Sequence, residues 1–384
     1  MTNFKEIEEK FELNVYPKRD IVLTKGKGAK VWDVEGKEYI DCIAGHGAVN
    51  AGHGNEEILA AMKDQSEKII TVPGTFFSPP RSKLMEKLVE ISPGNLKKVF
   101  LCNSGTEAVE AAIKFARLST KKMEFVCAMR GFHGRTLGAL SATFNKKYKE
   151  DFLPLVPGFT FTPFNNFEKL REKINENTAG IILELVQGEG GINIIDQEYI
   201  KQVRKLCDER GVLLIIDEVQ TGFCRTGRMF ACDHFDLKPD ILCLAKSIAN
   251  GIPMGAVLCS DKIKIGIGKH GTTLGGNPLA CATSIATLNF YLENNLAKQA
   301  KEKGDYLMEK LKEKNLSKVR EVRGLGLMIG IEIKEKVKPY ILELMDLGIL
   351  ALPAGATIIR LLPPLIISYE EIDFVIDSLS QVLK

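Results

Sequence analysis

The sequence predicts an α/β fold, with a mostly parallel sheet flanked by helices and a smaller α+β unit after it. Two observations carry this expectation. Short apolar runs of strand length alternate with longer helical patterns through the middle of the chain, the rhythm of βαβ units. Polar and glycine-rich residues follow those runs directly, at the carboxyl ends of strands where an open α/β sheet collects its ligands. With 384 residues the chain exceeds one ordinary core, so two domains or one large domain with appendages are expected.

The strand candidates are 98–101, 125–128, 180–186, 212–216, 241–244 and 256–260, and helical patterns cover 106–118 and 197–210. Near the N-terminus, Val31 to Asp41 reads as two short alternating strands around Glu35-Gly36, a small antiparallel hairpin. A long helix is expected from about 279 towards 314, followed by a strand over 322–332. These elements divide the chain into an N-terminal segment (1–50) with the hairpin, a large domain (51–275) and a small C-terminal domain (276–384). No repeat or low-complexity tract interrupts them.

Composition excludes several classes. Hydrophobic and charged contents of 45% and 26% are ordinary for a soluble globular chain. A net charge of +3 with no arginine-rich run gives no case for nucleic acid. No apolar run is long enough to span a bilayer and the N-terminus lacks a signal core, so a cytoplasmic, membrane-free protein is expected. The 9 cysteines are scattered without C-x-x-C spacing and the 5 histidines lack metal-ligand spacing, so no metal site is expected and a reducing compartment is. Gly324 to Gly330 approximates a dinucleotide fingerprint but has one residue too many and opens no helix.

Three segments carry chemistry. After the 98–101 run, Asn103-Ser104-Gly105-Thr106-Glu107 opens a helix whose free N–H groups at Gly105 and Thr106 form either a plain cap or an anion site suited to phosphate. After the 212–216 run comes Asp217-Glu218-Val219-Gln220. A carboxylate at a buried strand end requires a partner, which a pyridinium nitrogen provides; a helix cap or a magnesium ligand is the other reading. After the 241–244 run comes Lys246, flanked by small and apolar residues. Desolvation there lowers a lysine's pKa and makes it nucleophilic, whereas alone such a residue is more often a snorkelling surface lysine. Together the three segments specify a cofactor site.

These segments lie within a longer series of motifs. Asn103-Ser104-Gly105-Thr106-Glu107-Ala108, Gly131-Phe132-His133-Gly134-Arg135-Thr136, Val186-Gln187-Gly188-Glu189-Gly190-Gly191, Asp217-Glu218-Val219-Gln220-Thr221-Gly222, Leu244-Ala245-Lys246-Ser247 and His270-Gly271-Thr272-Thr273-Leu274-Gly275-Gly276-Asn277-Pro278 occur in that order. Across its whole length the chain resembles the class III aminotransferases, enzymes of PLP fold-type I. The resemblance implies a mostly parallel seven-stranded sheet flanked by helices, with 51–275 as the domain binding pyridoxal 5′-phosphate (PLP). Within the class the chain is similar to acetylornithine aminotransferases. More narrowly it resembles the LysW-γ-lysine/LysW-γ-ornithine aminotransferase branch of lysine and arginine biosynthesis, on Ile40-Asp41-Cys42, Gly52-His53-Gly54-Asn55, Ala128 to Phe132, Lys334-Glu335-Lys336 and Ile358 to Leu365.

Carried over by motif, the resemblance implies that Lys246 holds PLP as a Schiff base and Asp217 pairs with the pyridine nitrogen. Gly105 and Thr106 would bind phosphate, joined by Thr273 from a partner subunit of a homodimer. Phe132 would stack on the ring, Val219 would pack on its other face, and Gln220 would lie near the phenolic oxygen. Arg135 would hold the substrate α-carboxylate, with Thr272 nearby. Glu189 and Arg360 resemble a switch that shields Arg360 from the amino donor and frees it for a dicarboxylate. The implied reaction moves the terminal amino group between carrier-linked lysine or ornithine and 2-oxoglutarate/glutamate. Free N-acetylornithine, ornithine or 4-aminobutyrate are alternative donors, and a PLP-dependent aminomutase is an alternative reaction. An acidic carrier would need a basic entrance, for which Lys25, Lys27, Lys30, Lys262, Lys264 and Lys269 are candidates. The usual Glu-Pro before the Val186 motif is Glu184-Leu185 here, and His46 lies where substrate could pass. His133 reads as a hydrogen-bonding loop residue.

Overall fold

The central strands are the runs with the most continuous apolar sequence. Thr178–Leu183, Leu213–Asp217 and Ile241–Leu244 are buried at every position, as strands covered by helices on both faces must be. The computed structural model, which describes residues 3–384, places them at the middle of a 7-stranded sheet. Its spatial order is Leu96–Cys102, Gly255–Ser260, Ile241–Leu244, Leu213–Asp217, Thr178–Leu183, Glu124–Ala128 and Phe159–Thr162. Gly255–Ser260 is antiparallel to both neighbours, and the remaining pairings are parallel. Phe159–Thr162 lies outside the expected runs. It is a four-residue edge strand whose half-buried Phe-Thr-Phe-Thr has too little continuous apolar sequence to stand out.

Helix ends follow their capping residues. Ser104 accepts from Glu107 N at the start of Gly105–Thr120, and Asp196 accepts from Tyr199 N at the start of Gln197–Arg210. The helix expected over 279–314 is two helices, Pro278–Glu293 and Leu296–Glu313. They break at Asn294-Asn295, where Asn295 takes a left-handed φ of 51°, a conformation asparagine tolerates better than most residues. The strand expected over 322–332 is an antiparallel hairpin of Val319–Leu325 and Met328–Ile333, turning at Gly326. The 180–186 run stops at Leu183, and Val186–Gln187 pairs instead with Asn193–Ile194.

The N-terminal hairpin forms as expected, with Val31 opposite Tyr39. Its strand Glu38–Asp41 also pairs in parallel with Ile349–Leu350, so the first and last parts of the chain share a sheet. The C-terminal sheet has the order Val319–Leu325, Met328–Ile333, Ile358–Leu361, Leu352–Pro353. Arg225, fully buried, ties these regions to the central domain: it donates to the Leu327 and Pro363 carbonyls at 2.9 and 2.6 Å and to Asn50 Oδ1 at 2.5 Å. Burial lowers its pKa to about 10. All 9 cysteines are buried and free, and no helix among the described residues is long and apolar enough to cross a membrane.

The hairpin turn is seated against the helix Leu296–Glu313 through glycine. A Cβ at Gly304 would stand 1.9 Å from the Gly326 carbonyl oxygen, and backbone on both sides leaves it nowhere to go. Gly304→Ala should therefore destabilise the fold by ~1–3 kcal/mol or more through overpacking. Thermal denaturation checks this, and an unchanged Tm would contradict the contact.

Candidate active site

The loops that leave the carboxyl ends of the parallel strands converge on one cleft of about 590 Å³. Its lining includes Gly105, Thr106, Phe132, Arg135, Glu189, Asp217, Val219, Gln220 and Lys246, so most of the residues singled out in the sequence come together here. Asp217 ends the strand Leu213–Asp217 and lies opposite Cys243 in the neighbouring parallel strand. Lys246 follows three residues later on that neighbour. Parallel register thus brings the two functional groups to the same edge.

Lys246 has a left-handed φ of 48°, uncommon for a residue with a side chain and typical of strain held at functional sites. Burial, then the nearby positive charge of Arg360, lower its pKa to about 8. The amine is therefore neutral over a range in which an exposed lysine stays charged.

Asp217 is buried and held on both oxygens. His133 Nδ1 lies 2.7 Å from Oδ2 and Val219 N donates to Oδ1 at 3.0 Å. Burial alone would lower the pKa of His133, but the hydrogen bond and charge of Asp217 outweigh it and raise the pKa. Behind them, Glu184 Oε2 accepts from Phe132 N at 3.0 Å and Oε1 from Gly188 N at 3.1 Å. Burial raises its pKa to about 7 against the opposing pull of His133. Neither the tie of His133 to Asp217 nor the placement of Glu184 behind it has a local sequence signature. A histidine in a tight glycine-flanked loop was the available signal, but its partner is 84 residues away.

Helix Gly105–Thr120 points its first turn into the cleft, where N–H groups have no intrahelical acceptor. A Cβ at Gly105 would stand 2.7 Å from Val219 Cγ1, and one at Gly188 would stand 2.2 Å from Gln220 Oε1. Glycine at these two positions leaves room for the Val219 and Gln220 side chains, which would otherwise have to shift.

Arg360 sits just behind the lining. It is 1% exposed, with Nη2 at 2.6 Å from Glu189 Oε1 and Nη1 donating to Gln220 Oε1 at 3.3 Å. Its Nε has no partner among the described residues. Gln220 Nε2 donates to the His46 carbonyl at 3.3 Å, while the His46 side chain does not line the cleft. Arg135 is exposed and stacks on Tyr148 with 3.8 Å from guanidinium carbon to ring centroid. Phe132 meets the same tyrosine edge-on at 5.9 Å.

Two residues of the expected set stand apart. Thr273 is exposed, and Thr272 bonds Asn103 Nδ2 at 3.1 Å; neither lines the cleft. The six candidate entrance lysines do not line it either, and Lys30 and Lys262 pair locally with Glu38 at 2.7 Å and Asp240 at 2.8 Å. Tyr16 does line it, without any sequence signal beyond an aromatic in a polar stretch.

Comparison with known families decides what this arrangement belongs to. The family model described as Aminotransferase class-III matches residues 14–383. The chain belongs to the class III aminotransferases. This aminotransferase is 46% identical over 382 residues to the [LysW]-aminoadipate semialdehyde transaminase of Deinococcus radiodurans, covering 98% of this chain and 89% of that protein. It is 45% identical over 377 residues to the acetylornithine aminotransferase of Methanosarcina acetivorans, covering 98% and 95%. Among solved structures, the ornithine aminotransferase of Toxoplasma gondii superposes with a TM-score of 0.95 at 31% identity, covering 99% of this chain and 94% of that one. The acetylornithine aminotransferase of Elizabethkingia anophelis superposes at 0.88 and 34%, covering 99% and 98%. The fold is PLP fold-type I and the enzyme is PLP-dependent.

The cleft of the aminotransferase fits that cofactor. It combines a buried amine of lowered pKa, a buried carboxylate braced by a histidine, and a helix N-terminus approached through glycine. Rebinding of PLP to the apoenzyme should accelerate as pH rises through about 8, because only the neutral Lys246 amine attacks an aldehyde. Arg360→Met should move that midpoint upward, since the charge of Arg360 helps to lower it. Absorbance-detected reconstitution checks both, and a midpoint at the ordinary lysine value would refute the burial argument.

Proposed function

We propose that this enzyme transfers the terminal amino group of a lysine or ornithine side chain, presented on an acidic carrier protein, to 2-oxoglutarate. The observation that carries this reading is the Glu189–Arg360 pair, 2.6 Å apart beside the cleft. One site must accept an ω-amine in one half-reaction and a dicarboxylate in the other. A buried arginine left unpaired is strongly penalised, so Glu189 neutralises it while the amine is bound and yields it when a second carboxylate arrives.

PLP bound in the cleft supplies an electron sink that stabilises negative charge at the carbon losing its proton. Lys246 carries the cofactor and then moves a proton at the carbon that bears the nitrogen, a role that typically contributes ~10²–10⁴-fold. Asp217, oriented by His133, holds a proton on the ring nitrogen. Gly105 and Thr106 N–H groups would hold the phosphate, Phe132 and Val219 would enclose the ring, and Gln220 would supply a polar contact beside it. Arg135 leaves Tyr148 to bind the substrate carboxylate distant from the amine, with Thr272 lining the approach.

We also propose a homodimer in which Thr273 from a second copy completes the phosphate cradle. Phe76, Phe77, Ile267 and Leu274 are 66%, 102%, 106% and 52% exposed, an apolar display that a second copy would cover. Arg81 links two of these stretches by donating to the Phe76 carbonyl at 2.9 Å and the Gly276 carbonyl at 2.8 Å. A cytoplasmic enzyme of lysine and arginine biosynthesis fits the free cysteines and the Deinococcus relative. The Methanosarcina relative favours a second reading, with free N-acetylornithine as donor.

Two experiments test these readings. Glu189→Ala should slow the ω-amine half-reaction by about tenfold (~1.4 kcal/mol) while sparing the glutamate half-reaction; equal losses in stopped-flow traces would remove the switch. The rate with carrier-linked lysine or ornithine should exceed that with free N-acetylornithine, and the reverse preference would establish the second reading.

A further inference from the structure

The loop that carries Glu189 is held in an unfavourable backbone shape by the C-terminal sheet. Gly191 has φ 113° and Ile192 has φ 55°. The second value is exceptional for a β-branched side chain, and such strain persists only where surrounding contacts over-determine it. Within the loop, Ile192 N donates to the Gln187 carbonyl at 2.8 Å and Asn193 Nδ2 to the Gly190 carbonyl at 2.9 Å; from the C-terminal sheet, one side chain and one glycine bear on the strained pair. Arg323 donates from Nε to the Gly191 and Ile192 carbonyls at 3.0 and 3.2 Å, and from Nη2 to the Gly191 carbonyl at 2.7 Å. Its Nη1 is anchored in turn by Glu321 at 2.6 Å and Glu332 at 2.8 Å. Gly330 lies opposite Arg323 in the hairpin and opposite Arg360 in the next strand. A Cβ on it would stand 2.9 Å from Ile192 Cβ.

Arg323, Gly330 and Arg360 therefore form one row across three strands, with the Glu189 loop lying over it. At one end the row grips the loop backbone, and at the other it grips the Glu189 side chain. A separate cavity of about 640 Å³, lined in part by Gln187, Asn193, Arg323 and Glu332, borders the loop and leaves room for it to shift.

We infer that Arg323 is a positioning residue that holds the 188–192 loop so that Glu189 covers Arg360, a role that rests on the switch proposed above. Arg323 does not line the cleft, and its polar partners Gly191, Ile192, Glu321 and Glu332 lie outside the lining as well. Its influence on the reaction runs only through the loop, and hence only through the half-reaction in which Arg360 must be covered.

The test uses the PLP-loaded enzyme and its two half-reactions. Arg323→Met should slow the ω-amine half-reaction about tenfold, leave the 2-oxoglutarate half-reaction within about twofold, and lower the KM for 2-oxoglutarate. Arg323→Lys, which keeps one donor for the Gly191 carbonyl, should recover much of the loss. In a Glu189→Ala background the Arg323→Met effect should vanish. Equal slowing of both half-reactions by Arg323→Met, no slowing, or an effect that persists without Glu189 would overturn the inference. If Glu189→Ala alone slows both halves equally, the switch fails and this role fails with it. A discriminating Glu189→Ala beside a non-discriminating Arg323→Met sinks the positioning role alone. Should Arg323→Met not fold, Glu332→Gln loosens the same guanidinium without emptying its place and reads the same ratio.

Discussion

Arg360 is a full positive charge taken out of water at the seam between the C-terminal sheet and the strand-end loops of the large sheet, and much of the site is arranged by the need to accommodate it. Glu189 and Gln220 supply its polar contacts from two different loops, so both loops must close over the same strand. Gly188 has no side chain because Gln220 occupies that space. The same charge, after burial, helps to keep the amine of Lys246 neutral. A buried ion pair contributes little net stability, but its geometry is demanding, and here that demand couples the reactive amine to the C-terminal half of the chain.

A second buried group, Asp217, bears on Lys246 in the opposite electrostatic sense. The Asp217 carboxylate, His133 and Glu184 form a chain of ionisable groups with little access to solvent. Burial raises the pKa of Glu184 to about 7; at His133 burial pulls downward, but the hydrogen bond and charge of Asp217 outweigh it. In the proposed role, that cluster keeps a proton on the cofactor nitrogen. Lys246 thus feels the positive charge of Arg360 and the negative charges of Glu189 and Asp217, a setting that suits an amine required to gain and lose protons.

The C-terminal sheet meets the Glu189 loop twice: Arg360 pairs with the Glu189 side chain, and Arg323 bears on the loop backbone behind it. Arg323 bears on backbone carbonyls, and such a contact is insensitive to the side chain presented at position 189. The same clamp would therefore serve any residue at position 189. Specificity for a mobile carboxylate lies in Glu189 itself, while its resting position lies in the clamp.

Much of the fold was legible in the sequence because it rests on local patterns. The buried strands Leu213–Asp217 and Ile241–Leu244 are continuous apolar runs, and Ser104 is a capping residue at the helix start that it opens. The motifs around Gly105, Asp217 and Lys246 were equally local, and they lie at strand ends that the βαβ rhythm marks in advance. Where local signals compete, the sequence misled. The apolar stretch 322–332 reads as one strand until Gly326 turns it, and the helical pattern after 279 runs on through Asn294-Asn295. The partnerships came only from tertiary structure: His133 with Asp217, Arg323 with Gly191, and Tyr16 with the cleft. Each joins residues far apart in the chain, set together by sheet register and domain packing. Sequence alone marked the candidates for the chemistry, and for Gly105, Asp217 and Lys246 the strand ends that they follow. Tertiary structure decided which of them meet, because burial and charge pairing are properties of the packed chain and not of any segment within it.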